Sequence, residues 1–146
     1  MTKIITFTLR EPLKLPNRRG IPRDRNAGAA IIKKERAFLS QEIWSLLGGR
    51  LPQEAFSYAQ VKVFRHSLQE PDTDNLYTSC KALLDVLQPV AKNRVYGLGI
   101  IENDKPSRCE LIARHIKARK KDDQCTRVVI TQLECAPEIE PELEIE

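Results

Sequence analysis

Residues 57–87 read SYAQVKVFRHSLQEPDTDNLYTSCKALLDVL, and the apolar period changes once along them. From Ser57 to His66 apolar and polar residues alternate, with Ala59, Val61 and Val63 on one face, the pattern of a half-buried strand. From Leu76 onward Leu76, Cys80, Leu83, Leu84 and Leu87 step by four, three, one and three, which is one stripe of a helix. A strand that hands over to a helix places the chain in the mixed α and β classes. Between the two lies Asp72-Thr73-Asp74-Asn75. Two carboxylates at i and i+2 project on the same side of an extended backbone and make a dense negative charge suited to a cation. Asp72, Thr73 and Asp74 also stand where a helix cap stands, and acids there favour the helix dipole. Capping accounts for one acid well and for the pair less well.

Working outward toward the N-terminus, Lys3 to Leu9 alternates with Ile5, Phe7 and Leu9 on one face and reads as a first strand. Residues 10–28 lose periodicity and carry Pro12, Pro16 and Pro22 together with Arg10, Lys14, Arg18, Arg19, Arg23 and Arg25. A connector of this length in a compact domain is usually functional or disordered, and its charge suits phosphate. Ala29 to Leu47 is helical, with Ile32, Leu39, Ile43, Leu46 and Leu47 as the apolar stripe, and Gly48-Gly49 stops it. Phe38 and Trp44 lie beside that stripe and read as core or flank packing rather than as base-stacking platforms.

Toward the C-terminus Pro89 ends the second helix, and Ile100-Ile101-Glu102-Asn103-Asp104-Lys105-Pro106 places further acid after a short apolar run. Cys109 to Arg119 and Thr126 to Leu133 both alternate and are joined by the polar turn Lys120 to Gln124. They look like an antiparallel hairpin. Residues 1–135 therefore form one domain. Residues 136–146, with prolines and alternating glutamates, cannot bury enough apolar surface to fold alone and read as a disordered acidic tail.

The chain of 146 residues is the length of one ordinary domain. Its net charge of +4 conceals an asymmetry. Residues 134–146 hold six glutamates and no Lys or Arg, so residues 1–133, with all 24 basic residues and 14 of the 20 acids, carry +10. A basic body points to an anionic partner, nucleic acid first. The four cysteines show no paired metal-ligand spacing, and with two histidines in the chain a Cys/His cage is not the expectation. No apolar run approaches membrane length and no signal pattern opens the chain, so the expectation is a reduced, intracellular, soluble protein.

Mg²⁺ takes hard oxygen ligands, commonly one or two carboxylates with waters and substrate phosphates. Asp72 and Asp74 supply two from one segment, and Asp104, or Glu102 beside it, supplies a third if the fold brings the ends together. Such a cation beside a basic surface polarises a phosphodiester and activates water. Lys81, seven residues after Asp74, returns to nearly the same face of a continuous helix about 10.5 Å further along. It also forms an i, i+4 pair with Asp85, which is a surface-stabilising alternative.

These pieces, in this order, resemble the RusA family of Holliday-junction resolvases. The matching residues are Pro16-Asn17-Arg18-Arg19-Gly20, Asp72-Thr73-Asp74-Asn75-Leu76, Lys81 to Leu87, and Ile101-Glu102-Asn103-Asp104, spread over residues 3–133. The resemblance implies an α/β (α+β) domain with a mixed four-stranded sheet and two main helices, working as a homodimer. It implies a cytoplasmic, bacterial or phage-encoded endodeoxyribonuclease that nicks four-way-junction DNA in pairs with Mg²⁺, or with Mn²⁺ as its substitute. Asp72, Asp74 and Asp104 match the family's metal-site acids and Lys81 its phosphate-facing lysine. Lys14, Asn17, Arg18, Arg19, Arg23 and Arg25 in the loop, with Lys105, Arg114, Lys117 and Arg119 around the hairpin, are the expected DNA contacts. Two departures stand out. Asn103 occupies the place of a second acid, and Lys81 lies three residues beyond the family's lysine. Both favour the alternative of a non-catalytic branched-DNA-binding protein, and a protein-interaction domain with capping acids is the third reading.

Overall fold

The computed structural model describes residues 2–15 and 25–137, without the side chains of residues 25–27. The loop residues 16–24 and the tail residues 138–146 lie outside the described residues. Four strands, β1 (Ile4–Leu9), β2 (Ala59–Ser67), β3 (Cys109–Lys117) and β4 (Cys125–Gln132), form one sheet in the order β1-β4-β2-β3. β4 runs antiparallel to β1 and β2, and β3 runs parallel to β2. The helices α1 (Arg25–Leu46), α2 (Thr73–Ser79) and α3 (Lys81–Leu87) sit in the two crossovers that join strands of the same direction. The result is a small α+β fold with a mixed four-stranded sheet. Among the described residues no helix is long and apolar enough to cross a membrane.

The alternation seen in the sequence sorts the strands as expected. Phe7 and Leu9 of β1, Ala59, Val61 and Val63 of β2, Ala113 of β3, and Val128 and Ile130 of β4 turn inward and are buried. Against them pack Ile43 from α1 and Leu76, Leu83, Val86 and Leu87 from α2 and α3, with Phe56, Ile100 and Ile101 closing one end. Burial of this contiguous apolar set is the main favourable contribution to folding. All three helices cover one face of the sheet. No described element packs on the opposite face.

α1 begins four residues earlier than its apolar stripe suggested, at Arg25. Its buried line runs through Arg36, Ser40 and Ile43, so Leu46, one residue off that line, is 46% exposed rather than inward. Phe38, expected in the core or on its flank, is 74% exposed. Trp44 is half exposed, and its ring lies over Gly49 closely enough that a Cβ there would meet it at 3.1 Å. Gly48 and Gly49 both take positive φ, and the bonds Gly49 N→Trp44 O (2.9 Å) and Gly48 N→Ser45 O (3.0 Å) make the double closure of a Schellman cap.

The second helical stretch is broken at Cys80, so that it forms two seven-residue helices rather than one. Thr78 Oγ1 donates to Asp74 O, Ser79 Oγ to Leu76 O, and Cys80 Sγ also to Leu76 O. Three consecutive side chains that bond back to the preceding turn compete with the backbone ladder and bend a helix.

The expected β3–β4 hairpin is not formed. β2 lies between the two strands and pairs with both, through Val61↔Leu111 on one side and Val61↔Ile130 on the other. The two strands do run in opposite directions, but they are two strand spacings, roughly 10 Å, apart. The connection between Lys117 and Cys125 is long enough to step over β2.

Candidate functional site

The sheet has two ends with different chemistry. At one end β1, β2 and β3 finish and β4 begins, and here the backbone is held by a polar network. Arg65 stands at an inward position of β2 and is 7% exposed. Its Nε donates to Leu13 O at 2.8 Å and its Nη1 to Ser67 Oγ at 2.8 Å. Ser67 Oγ in turn donates to Gln69 O at 2.9 Å. Across the sheet Thr126 Oγ1 accepts from Leu13 N at 2.9 Å and donates to Glu11 O at 3.0 Å. One buried arginine and one buried threonine thus hold both the stem of the basic loop and the chain that leads from β2 to the acidic turn. Arg65 continues the inward alternation of Val61 and Val63, and a charged residue at such a position was the sequence signal for this network.

The acidic turn opens α2. Asp72 is the N-cap residue, with φ −58° and ψ 147°, and its side chain makes no capping bond. Asp74 lies in the first turn. The pair therefore straddles the helix start instead of lying on an extended backbone, because the helical dihedrals begin at Thr73. Both carboxylates are exposed, and among the described residues neither accepts a hydrogen bond or forms an ion pair.

Lys81 is exposed and opens α3, beyond the bend at Cys80. The continuous-helix phase that linked it to Asp74 does not apply across that bend. Nor does it pair with Asp85, whose Oδ2 accepts from Arg36 Nε at 3.0 Å and lies 2.9 Å from Arg36 Nη2. That contact ties α3 to α1.

Asp104 stands at the other end of the sheet. The bridge Phe56↔Ile101 and the pair Ala59↔Cys109 place it beside the start of β2, whereas Asp72 follows the finish of β2. Ile100 N and Ile101 N both donate to Leu87 O, at 2.8 and 3.0 Å, which fixes the segment to the far end of α3. β2 is 9 residues long, roughly 30 Å at 3.3 Å per residue, and Asp104 lies beside its start whereas Asp72 and Asp74 follow its finish. Glu102 and Lys105 share the far end. Asn103 Oδ1 accepts from Lys105 N at 2.8 Å and serves the turn. Among the described residues no three His, Cys, Asp or Glu side chains gather to hold a metal ion. Asp72 and Asp74 still fit a two-carboxylate Mg²⁺ site that leaves the remaining positions to water and phosphate.

Of the expected DNA contacts, Lys14, Lys117 and Arg119 are exposed at the end that carries the acidic turn, and Arg10, Lys120 and Lys121 join them there. Lys14 Nζ lies 3.8 Å from Glu35 Oε1. Lys105 is at the opposite end, and Arg114 is on the uncovered face of the sheet. Asn17, Arg18, Arg19, Arg23 and the Arg25 side chain lie outside the described residues. A groove of about 590 Å³ runs along α1, lined by Leu9, Leu13, Phe38, Leu39 and Ala82 with Lys14 and Lys34 beside them. The exposed Phe38 on its wall is a feature that helix periodicity misassigned.

No family model matches the chain, and no curated protein matches its sequence at a significant level.

Proposed function

We propose that the chain is a Mg²⁺-dependent endodeoxyribonuclease acting on branched DNA as a homodimer, as its likeness to the RusA pattern suggests. The observation that carries this reading is the shared end of the sheet, where one hydrogen-bond network holds the stem of the basic loop and the start of the segment that leads to two carboxylates, neither of which has a partner among the described residues. Asp72 and Asp74 would hold the metal, Mg²⁺ or Mn²⁺ in its place. The bound cation supplies a polarised phosphodiester and an activated water. Lys14, Lys117, Arg119 and the loop seat phosphates without reading sequence. Asp104 has no part in a site built within one chain. Two equivalent sites in a symmetric dimer suit paired nicks in a four-way junction.

The test is cleavage of a synthetic four-way junction with Mg²⁺. Asp72→Asn and Asp74→Asn should each lower the cutting rate by at least 100-fold and leave junction affinity within threefold. Folding stability of Asp72→Asn should change by less than about 0.5 kcal/mol, since Asp72 caps no backbone N–H. Junction binding without cutting by the wild-type protein, across Mg²⁺ and Mn²⁺ concentrations, overturns the catalytic reading. That outcome fits the second reading, a non-catalytic branched-DNA-binding protein, which the separation of Asp104 from the acidic turn favours.

A further inference from the structure

The face of the sheet turned away from the helices is arranged in rows by the strand register. One row runs Thr8, Arg127, Phe64, Arg114 across β1, β4, β2 and β3. The next row toward the start of β2 runs Thr6, Val129, Lys62, Ile112, and the row on the other side holds Cys125, His66 and Ile116. Neighbouring strands lie about 4.8 Å apart, so Arg114 and Arg127 stand directly beside Phe64 on the strands to either side. Arg114 and Arg127 are exposed, and Lys62 and Phe64 are half-buried. Among the described residues none of the three cations is paired with an acid. Glu110 is the one acid at an outward position of the four strands, and its Oε2 accepts from Gln60 Nε2 at 3.2 Å.

An aromatic residue on a central strand, with neighbouring cations that have no acid partner among the described residues and on a face that no described element covers, selects among occupants. A second copy laid face to face would set Arg and Lys against Arg and Lys. A duplex offers phosphates, but its bases are stacked inside and have no use for the ring. A single strand offers both phosphates and free base faces, and aromatic platforms between basic residues bind such strands with little sequence preference. We propose that this face binds single-stranded nucleic acid, with a base stacked on Phe64 and flanking phosphates held by Lys62, Arg114 and Arg127. The strand that carries Phe64 runs on toward the loop bearing Asp72, so a single-stranded arm on this face leads to the acidic turn. The site is separate from the acid pair, and its existence does not depend on cleavage.

The test is a fluorescence-polarisation titration of a labelled oligothymidylate with the full chain in EDTA, where metal-dependent cutting is silent. Phe64→Leu should weaken binding about fivefold or more, as expected for the loss of one stacked base, and Phe64→Tyr should retain it. Arg114→Gln and Arg127→Gln should each reduce the slope of log K against log salt by about 0.7, one phosphate contact to a single strand. Binding of a duplex should be unaffected by Phe64→Leu. The proposal is overturned if the wild-type protein does not bind the oligonucleotide, if Phe64→Leu with native circular dichroism binds within twofold of wild type, or if Phe64→Leu weakens duplex equally. Should Phe64→Leu fail to fold, the double variant Arg114→Gln/Arg127→Gln decides, because both side chains are exposed, and unchanged affinity there overturns the proposal as well. Loss of junction cutting by Asp74→Asn with oligothymidylate binding intact separates the two sites.

Discussion

Among the described residues, Cys80 and Cys109 carry thiols that folding moves well away from their ordinary value. Burial pushes the Cys80 thiol up to about 11, and burial together with the nearby Asp104 and Glu110 does the same for Cys109. An ordinary thiol near 9.0 loses its proton two pH steps sooner in the unfolded chain. The unfolded state therefore releases protons first, and the contribution of these thiols to stability is complete below pH 9 and lost as pH rises from 9 toward 11. Urea midpoints should be level from pH 7 to 8.5 and fall between pH 9 and 11, and replacing both cysteines with alanine should flatten that fall. At this scale the sequence was partly legible. It singled out Asp72 and Asp74, which stand at the start of α2, exposed, with no side-chain capping bond from Asp72. It gave no sign that Cys109 shares a field with Asp104, because that depends on the turn in which Arg108 N and Cys109 N both donate to Lys105 O.

Between elements the contact of most consequence is Arg36 with Asp85, joining α1 to α3 with both side chains largely buried. Arg36 Nη1 has no partner among the described residues, so the guanidinium depends on Asp85 for compensation. Asp85→Ala should cost about 3 kcal/mol in urea unfolding, since it leaves a buried cation unpaired. Replacing both residues with apolar ones of similar volume should restore most of the loss. Periodicity could not find this pair. Arg36 falls on the buried line of α1, but a heptad reading counts only apolar residues, and it assigned Leu46 inward in place of a charged residue that is paired. The strands fared better, because alternation over β1, β2 and β4 depends only on which face meets the core. The bend at Cys80 was written in the run Thr78-Ser79-Cys80, whose side chains can each bond backward, yet the regular spacing of Leu76, Cys80 and Leu83 hid it.

For the whole molecule the decisive fact is the sheet order. Two alternating runs with a polar turn between them are the usual sign of a hairpin, and nothing local distinguishes that case from one in which a third strand enters. Insertion of β2 makes β2 and β3 parallel, and a parallel crossover sends the start and the end of its helices to opposite ends of the sheet. Asp104 and the acidic turn are parted for that reason. Asp104→Asn should accordingly leave junction cleavage within about threefold of wild type, measured beside Asp74→Asn. A loss equal to that of Asp74→Asn would mean that a second copy brings its Asp104 across.

The same order bears on how the protein is made. β1 hydrogen-bonds only to β4, with Leu9 opposite Thr126. As the chain leaves the ribosome, the unit from β2 to β3 is complete while β1 still has no neighbour. The closing of the loop stem by Thr126 waits for the same event, and until then Arg65 of β2 is the described side chain that can hold Leu13. A chain stalled before Cys125 presents the bare edges of both β1 and β2, and unpaired edges template aggregation. Chains cut short before Cys125 should therefore aggregate more readily than the full chain, as light scattering of the two would show.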